Sequence, residues 1–274
     1  MSATEIMDAP RPMRRALNAL GDGWVIVRRD LAHYRYAPTQ LVAHLAFPVI
    51  MVILFGYILG SATPVPGGNY REYLMPGLFA FGQITVAASA AVATADDSAR
   101  GVMDCLRAMP IARSAVPFGR AGAEVATGIL DLAALAVCGL IVGWQPHRSL
   151  AYTAAAFALL LLMRYAMSWV GVYLGLLVKN PGTADSLVPL TFPVAMLSNA
   201  LVPTDGLPSW LQLIADYNPV SGLVQAVREL FGKPTVPTHV WPLQHPVIAT
   251  LAWSLIILAI FVPLATRRYR TAHL

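Results

Sequence analysis

The chain has 274 residues, of which 57% are hydrophobic and only 12% are charged. Soluble domains are about 45–50% apolar and about 25% charged, so this composition excludes an ordinary soluble fold and indicates an integral membrane protein. The formal net charge is +5, but the basic residues lie beside apolar runs and form no recognisable nucleic-acid-binding module, so nucleic acid is not expected as a partner.

Residues 1–40 are predicted to form a cytoplasmic N-terminal segment that contains one amphipathic helix. Apolar residues recur there at intervals of three and four: Leu17, Leu20, Trp24, Val27, Leu31 and Tyr34. Arg28, Arg29 and Arg35 lie nearby, where anionic headgroups could bind them. The helix therefore lies on the membrane surface or packs against protein. No apolar segment precedes residue 40, so no cleavable signal peptide is expected.

Six apolar runs approach the length of about 20 residues that a membrane-spanning helix needs. They are Leu41–Leu59, Leu74–Ala93, Ala121–Val142, Leu150–Val178, Ala184–Leu201 and Val247–Ala265. The fifth run is short and is interrupted by Pro189 and Pro193. We therefore predict an all-α membrane protein with a six-span bundle over residues 41–265 and a cytoplasmic tail over 266–274.

The basic residues set the orientation of this bundle. Of 19 Lys and Arg residues, 14 fall on one side of the predicted membrane and four on the other, while Arg164 lies within a span. Cytoplasmic segments are the ones enriched in Lys and Arg. Both termini, and the polar stretch between the second and third spans, are therefore predicted to be cytoplasmic.

That polar stretch, Ala95–Val125, contains a helix-like pattern. Asp97 or Ser98 can cap a short helix that Pro110 ends, and Val102, Leu106 and Met109 share one apolar face. The pattern predicts either a cytoplasmic helix coupled to the two flanking spans or a solvated connector.

A second amphipathic region, Leu201–Pro234, lies on the external side. A helix start at Asn218-Pro219 precedes one apolar stripe, and Gly232 and Pro234 end it; a shorter helix, Leu207–Ala215, precedes it. Neither can cross a bilayer. The two form either re-entrant half-helices in the outer leaflet or over the bundle, or a surface loop with two helices.

Three charged residues fall inside predicted spans, where isolated charges are costly. Asp131 and Arg164 lie near the middle of the third and fourth spans, and Glu124 lies closer to the cytoplasmic side. We expect Arg164 to pair with Asp131, with Glu124 as a second partner. The cluster is either a structural tie between two helices or a polar point on a substrate or gating path.

Motifs for catalysis or cofactor binding are absent from the sequence. It has no phosphate-binding loop ending in Gly-Lys-Ser/Thr, no G-x-S-x-G, no H-E-x-x-H and no His/Cys cluster with metal-ligand spacing. Cys105 and Cys138 suggest neither a disulfide nor a metal site. The chain is therefore expected to have no catalytic residues, metal or cofactor of its own.

Two stretches resemble type 2 ATP-binding-cassette (ABC) exporter permeases. LRAMPIAR, Leu106–Arg113, fits L-x-x-x-P-[IV]-x-R. The region from Phe192 to Leu230 fits V-P-x-x-x-x-P-x-W-L, then N-P-[VLI]-[ST] and a helix ending in Arg-x-Leu. Residues 1–274 are thus similar to one type 2 transmembrane domain, most of all to daunorubicin-resistance drug exporter permeases of actinobacteria.

The resemblance implies a non-catalytic permease of the bacterial plasma membrane that exports drugs, polyketides, lipids or glycolipids. It implies two separate ATPase subunits, which carry ATP and Mg²⁺, and a second permease chain, identical or paralogous. The ATPases would push the cytoplasmic helix Ala99–Met109 and the interfacial helix around Trp24. The coupling residues it implies are Arg100, Val102, Leu106, Arg107, Met109, Pro110, Arg113 and Trp24.

The first, second and fifth spans would line the translocation path at the permease dimer interface. The residues implied for apolar substrate contact are Phe47, Phe55, Phe79, Phe81, Gln83, Phe192 and Met196. Two other readings stay open: a stand-alone ion-coupled secondary transporter, which would need inverted repeats and broken helices, and a membrane scaffold with no substrate.

Overall fold

The computed structural model describes residues 46, 49–58, 70–103, 115–178, 180–201, 204–233 and 240–271. Every regular element within these ranges is helical, in agreement with the predicted all-α class. The predicted interfacial helix around Trp24 lies outside them. Of the first predicted span, residues 49–58 are helical, and Leu54–Ile58 forms a π-helical turn.

Within the described ranges, nine α-helices and a short 3-10 helix, Thr204–Gly206, follow in chain order. The α-helices are α1 (Tyr70–Ala99), α2 (Ala115–Ile141), α3 (Leu150–Val178), α4 (Pro181–Asp185), α5 (Val188–Met196), α6 (Ser209–Tyr217), α7 (Pro219–Phe231), α8 (Trp241–Gln244) and α9 (Pro246–Thr271). Within the described ranges, α1, α2, α3 and α9 are long and apolar enough to cross a membrane. They correspond to the second, third, fourth and sixth predicted spans, and α3 has the predicted bounds.

Helix α1 lies at the centre of the bundle and packs closely against α3. A Cβ atom added to Gly171 would lie 2.3 Å from the carbonyl oxygen of Ala87, and one added to Gly175 would lie 2.5 Å from that of Ala91. Small residues on both helices let the two backbones approach, which is the usual way that membrane helices gain contact. These two helices therefore form a closely packed pair.

The predicted fifth span consists of two short helices, α4 and α5, separated by Ser186 and Leu187. The side chain of Asn180 caps α4 by accepting from Gly182 N–H at 2.9 Å. Proline occupies the first turn of both helices, where its missing N–H costs no intrahelical bond. Neither helix alone reaches the length of a span, so the count of six spans remains a prediction.

The two helices of the region Leu201–Pro234 differ in how well their limits were predicted and in their environments. Helix α6 is shifted by two residues from the predicted Leu207–Ala215, whereas α7 begins and ends where predicted. The Asn218 side chain accepts from Val220 N–H at 3.0 Å to begin α7, and Gly232 ends it with a left-handed φ of 72°, which confirms the predicted start and stop. Helix α7 is buried against α1, α3 and α9. Helix α6 instead leaves most of one face exposed.

Candidate functional site

The polar stretch begins inside α1, not at the start of a new helix. Asp97 and Ser98 lie in the last turn of α1, which continues to Ala99. Gly101 then adopts a φ of +71°, and its N–H donates to the carbonyl of Ser98 at 3.3 Å. The predicted cap at Asp97 or Ser98 is wrong, because α1 continues through both residues to Ala99. The chain turns only at Gly101, a glycine that adopts a left-handed conformation without strain.

Two ion pairs lie at this end of α1. Arg120 Nη1 lies 3.0 Å from Asp97 Oδ2 and so joins α2 to α1, whereas Arg100 Nε lies 2.9 Å from Asp96 Oδ1 within one turn of α1. Arg100 is exposed and Val102 is half-buried. The remaining residues predicted to contact an ATPase lie outside the described ranges: Trp24, Leu106, Arg107, Met109, Pro110 and Arg113.

The three intramembrane charges lie together between α2 and α3. Arg164 Nη1 is 3.1 Å from Asp131 Oδ2, and Arg164 Nη2 is 3.4 Å from Glu124 Oε2. Arg164 also donates to Thr127 Oγ1 at 3.1 Å and to the carbonyl of Glu124. Arg164, a residue only 3% exposed, thus contacts three successive turns of α2 through its guanidinium. The geometry brings together the set that the sequence predicted.

The residues predicted to contact substrate separate into two groups. Phe192 and Met196 on α5 are 44% and 42% exposed, and the Phe192 ring meets Phe81 of α1 edge-to-face at 6.1 Å. Phe55 is half-buried, and Phe47 lies outside the described ranges. Gln83 is buried and donates to the carbonyl of Phe79 at 2.9 Å. The exposed apolar surface therefore lies on α5, and the buried ring of Phe81 in α1 packs against it.

Phe79 does not belong to this surface. It is fully buried, and its ring centroid lies 5.3 Å from that of Trp144, 5.7 Å from that of Phe157 and 5.9 Å from that of Phe231. Its assignment to the substrate path is therefore wrong, since three aromatic rings from different parts of the chain enclose it. Phe79 and Phe81 lie two residues apart in α1, a helix that is mostly buried. Their positions in the sequence therefore could not show which ring is enclosed by other rings and which meets α5.

Arg228 is a site residue that the sequence interpretation missed. It lies on α7, is fully buried, and its Nη2 donates to the carbonyls of Tyr73, Asn199 and Ala200 at 3.1, 2.8 and 3.4 Å. Burial lowers its pKa to about 10, so the guanidinium stays charged at neutral pH. In the sequence, only the Arg-x-Leu motif at the end of α7 points to this residue, and the distribution of charges assigns it to the external side.

Lys233 makes a second buried contact beyond the end of α7. Its Nζ lies 3.0 Å from Glu72 Oε1, near the start of α1, and 2.6 Å from His147 Nδ1 in the loop before α3. Burial lowers the pKa of Lys233, and its bond to Glu72 opposes that shift. The end of α7 and the starts of α1 and α3 are therefore joined by side chains, and not only by loops.

Comparison with known proteins matches the family model for the ABC-2 type transporter over residues 22–231. This range contains the polar stretch Ala95–Val125, the charged cluster around Arg164 and the helices α6 and α7. The chain belongs to the ABC-2 type transporter family. Its members are permeases, so the multi-pass helical bundle described above is the membrane part of a transporter.

Curated relatives extend the similarity over most of the chain. The daunorubicin resistance ABC transporter permease protein DrrB1 of Streptomyces coeruleorubidus is 26% identical over 89% of this chain and 84% of its own length. The doxorubicin resistance ABC transporter permease protein DrrB of Mycobacterium tuberculosis is 24% identical over 90% and 89%. A putative transport permease, ycf38, of Cyanophora paradoxa is 25% identical over 76% and 73%.

These similarities identify the chain as a transmembrane permease subunit of an ABC exporter, a component that is generally non-catalytic. Permeases of this family work with ABC ATPase subunits. The described residues contain no group of three or more His, Cys, Asp or Glu side chains that could hold a metal ion. Three features of the described residues remain to be related to function: the end of α1 with the start of α2, the Arg164 cluster and the apolar surface of α5.

Proposed function

We propose that this permease moves amphiphilic or hydrophobic substrates, such as drugs, polyketides, lipids or glycolipids, out of the cytoplasm or the inner leaflet. The observation that carries the proposal is the family match across the polar stretch after α1, in a sequence without a phosphate-binding loop. Energy from ATP then has to arrive from another subunit. The names of two relatives refer to daunorubicin and doxorubicin resistance, which supports an amphiphilic substrate.

Two ATPase subunits, carrying ATP and Mg²⁺, would act on two permease chains, identical or paralogous. Their contact surface on this chain is the segment Ala99–Met109 together with the interfacial helix around Trp24. Leu106, on the predicted apolar face of that segment, would face the ATPase. Leu106→Asp is therefore expected to remove the ATPase while leaving membrane insertion intact, because it places a charge in an apolar contact.

The orientation that this requires follows from the distribution of basic residues. With both termini in the cytoplasm of a bacterial cell, the end of α1 that carries Asp97 and the start of α2 face the ATPases. Helices α6 and α7 then lie on the external side of the plasma membrane. Phe81, Phe192 and Met196 would lie on the substrate path, where an apolar lining suits amphiphilic molecules.

Helix α6 would lie in the outer leaflet. Trp210, Leu213, Ile214 and Tyr217 recur at helical spacing and are 65%, 57%, 51% and 52% exposed. Asp216, on the other face, accepts from the hydroxyl of Thr204 at 3.3 Å. Trp and Tyr favour the membrane–water interface. Helix α7, buried among α1, α3 and α9, would instead cover the bundle.

The test is to extract the tagged permease gently from its native membrane and to measure what it carries. We expect a stoichiometric ABC ATPase in the wild-type preparation and its loss in Leu106→Asp. Leu213→Asp on the external helix is the matched control, since it makes the same change on the opposite side and should leave the ATPase bound.

Transport is measured as ATP-dependent uptake of daunorubicin into inverted membrane vesicles, with and without an ionophore that collapses ion gradients. Uptake that needs ATP and survives the ionophore supports the exporter. Uptake that fails with the ionophore, from a chain that purifies alone, would instead favour an ion-coupled transporter. A scaffold would show neither ATPase nor uptake.

A further inference from the structure

We propose that the Asp97–Arg120 ion pair is a positioning pair for energy coupling: it holds the end of α1 against the start of α2, the two helix ends that the segment Ala99–Met109 and the residues after it connect. Asp97 lies in the last turn of α1 and Arg120 in the second turn of α2, and their atoms are 3.0 Å apart across 23 residues of sequence. The inference rests on the proposed function, because coupling requires an ATPase that acts on this segment.

The environment of the pair distinguishes it from a surface contact. Its side chains are 13% and 18% exposed, whereas those of the neighbouring Arg100–Asp96 pair are 72% and 39% exposed. Solvent and salt screen an exposed pair strongly and a partly buried pair much less. The Arg100–Asp96 pair also joins α1 only to itself. Of these two pairs, only Asp97–Arg120 fixes the distance between α1 and α2.

Apolar contacts hold the same region against the remainder of the bundle. Met103, two residues beyond Gly101, is buried in a cluster with Val116 and Ala121 of α2, Trp169 of α3 and Tyr269 of α9. Deeper in the bundle, Arg164 joins α2 to α3. With α1 packed against α3 at Gly171 and Gly175, three long helices share contacts at several levels.

A displacement of the polar segment would therefore move α1, α2 and α3 together. Without the ion pair, α1 and α2 could separate at their cytoplasmic ends. The segment between them could then move without carrying α1 and α2 with it, so that less of its displacement would reach the bundle. The loss would appear in the amount of substrate moved per ATP hydrolysed, and not in the rate of hydrolysis or in ATPase binding.

The experiment uses the purified permease–ATPase complex in liposomes and measures daunorubicin transport and ATP hydrolysis in the same sample. We expect Asp97→Asn and Arg120→Gln each to lower the ratio of drug moved to ATP hydrolysed by about tenfold, while the ATPase stays bound. Exchanging the charges, with Asp97→Arg and Arg120→Asp together, should recover most of the ratio. Asp96→Asn is the matched control and should leave it unchanged.

A distance measurement tests the structural part separately. Spin labels at positions 99 and 115, in a variant without Cys105 and Cys138, report the separation of the two helix ends. We expect Asp97→Asn to broaden the distance distribution and Asp96→Asn to leave it narrow. An unchanged distribution or an unchanged transport ratio in Asp97→Asn would overturn the positioning role. Absence of any ATPase from the wild-type complex would instead contradict the proposed function.

Discussion

The guanidinium carbon of Arg228 lies 3.6 Å above the centroid of the Tyr73 ring. The aromatic face and three carbonyl oxygens, all of which accept from Nη2, stabilise this buried guanidinium. Tyr73 itself donates to the carbonyl of Asn199 at 3.0 Å, and Tyr70 donates to that of Leu201. The turn at 197–201 is thus bound by α1 and α7 through its backbone.

We expect Arg228→Lys to destabilise the protein by about 2 kcal/mol or more, because an ammonium group cannot reach the same carbonyls and stack on the ring. Thermal unfolding of the permease in detergent measures the change. Arg148→Lys is the control: Arg148 also lies over a tyrosine, Tyr152, at 5.0 Å, but both residues are exposed. Equal effects of the two substitutions would contradict the importance of the buried site.

The Arg164 cluster predicts non-additive substitutions. Arg164→Ala leaves Asp131 and Glu124 without their cation and should cost about 3 kcal/mol. Adding Asp131→Ala should recover part of that loss, because one of the two carboxylates is then gone. The measurement is a double-mutant cycle in thermal or denaturant unfolding. Additive losses would show that the 3.1 Å contact between Arg164 and Asp131 contributes no coupling energy.

Close packing of α1 and α3 predicts a strong effect at Gly171. Gly171→Ala would place a methyl group against the backbone oxygen of Ala87, which cannot move without separating the helices. We expect a loss of about 1–3 kcal/mol. Gly82→Ala in α1 is the control, since a Cβ atom there meets nothing within 4 Å. Both variants are compared by thermal unfolding.

Substitutions of Phe79 and Phe192 are expected to affect different properties, stability in the first case and transport in the second. Phe79→Ala opens a cavity inside the four-ring cluster and should destabilise the protein by about 3–5 kcal/mol. Phe192→Ala removes an exposed ring, so it should leave stability nearly unchanged but alter daunorubicin transport if the apolar surface of α5 contacts substrate. Normal transport by Phe192→Ala would remove this residue from the path.

Local signals in the sequence were sufficient for the membrane class and for the limits of α3 and α7. A bilayer imposes a length and an apolar composition on each spanning helix, so α3 could be delimited from hydropathy alone. The start of α7 at Asn218 and its end at Gly232 depend on a side-chain cap and a left-handed residue, which act within a few positions. The Arg164–Asp131 contact was also predictable, because two charges at similar depth in apolar helices have few other partners.

Contacts between distant segments were decided only by the tertiary structure. Arg228 appears in the sequence as one more external charge, and its burial depends on carbonyls of a turn that approaches α1 where Gly77 leaves space. Phe79 and Phe81 are two residues apart on one helix, yet one is enclosed by rings from three other segments and the other meets α5. Asp97 stands beside Asp96 in the sequence, but only Asp97 reaches α2. Hydropathy and local propensity depend on near neighbours, whereas burial and pairing depend on which helices pack together.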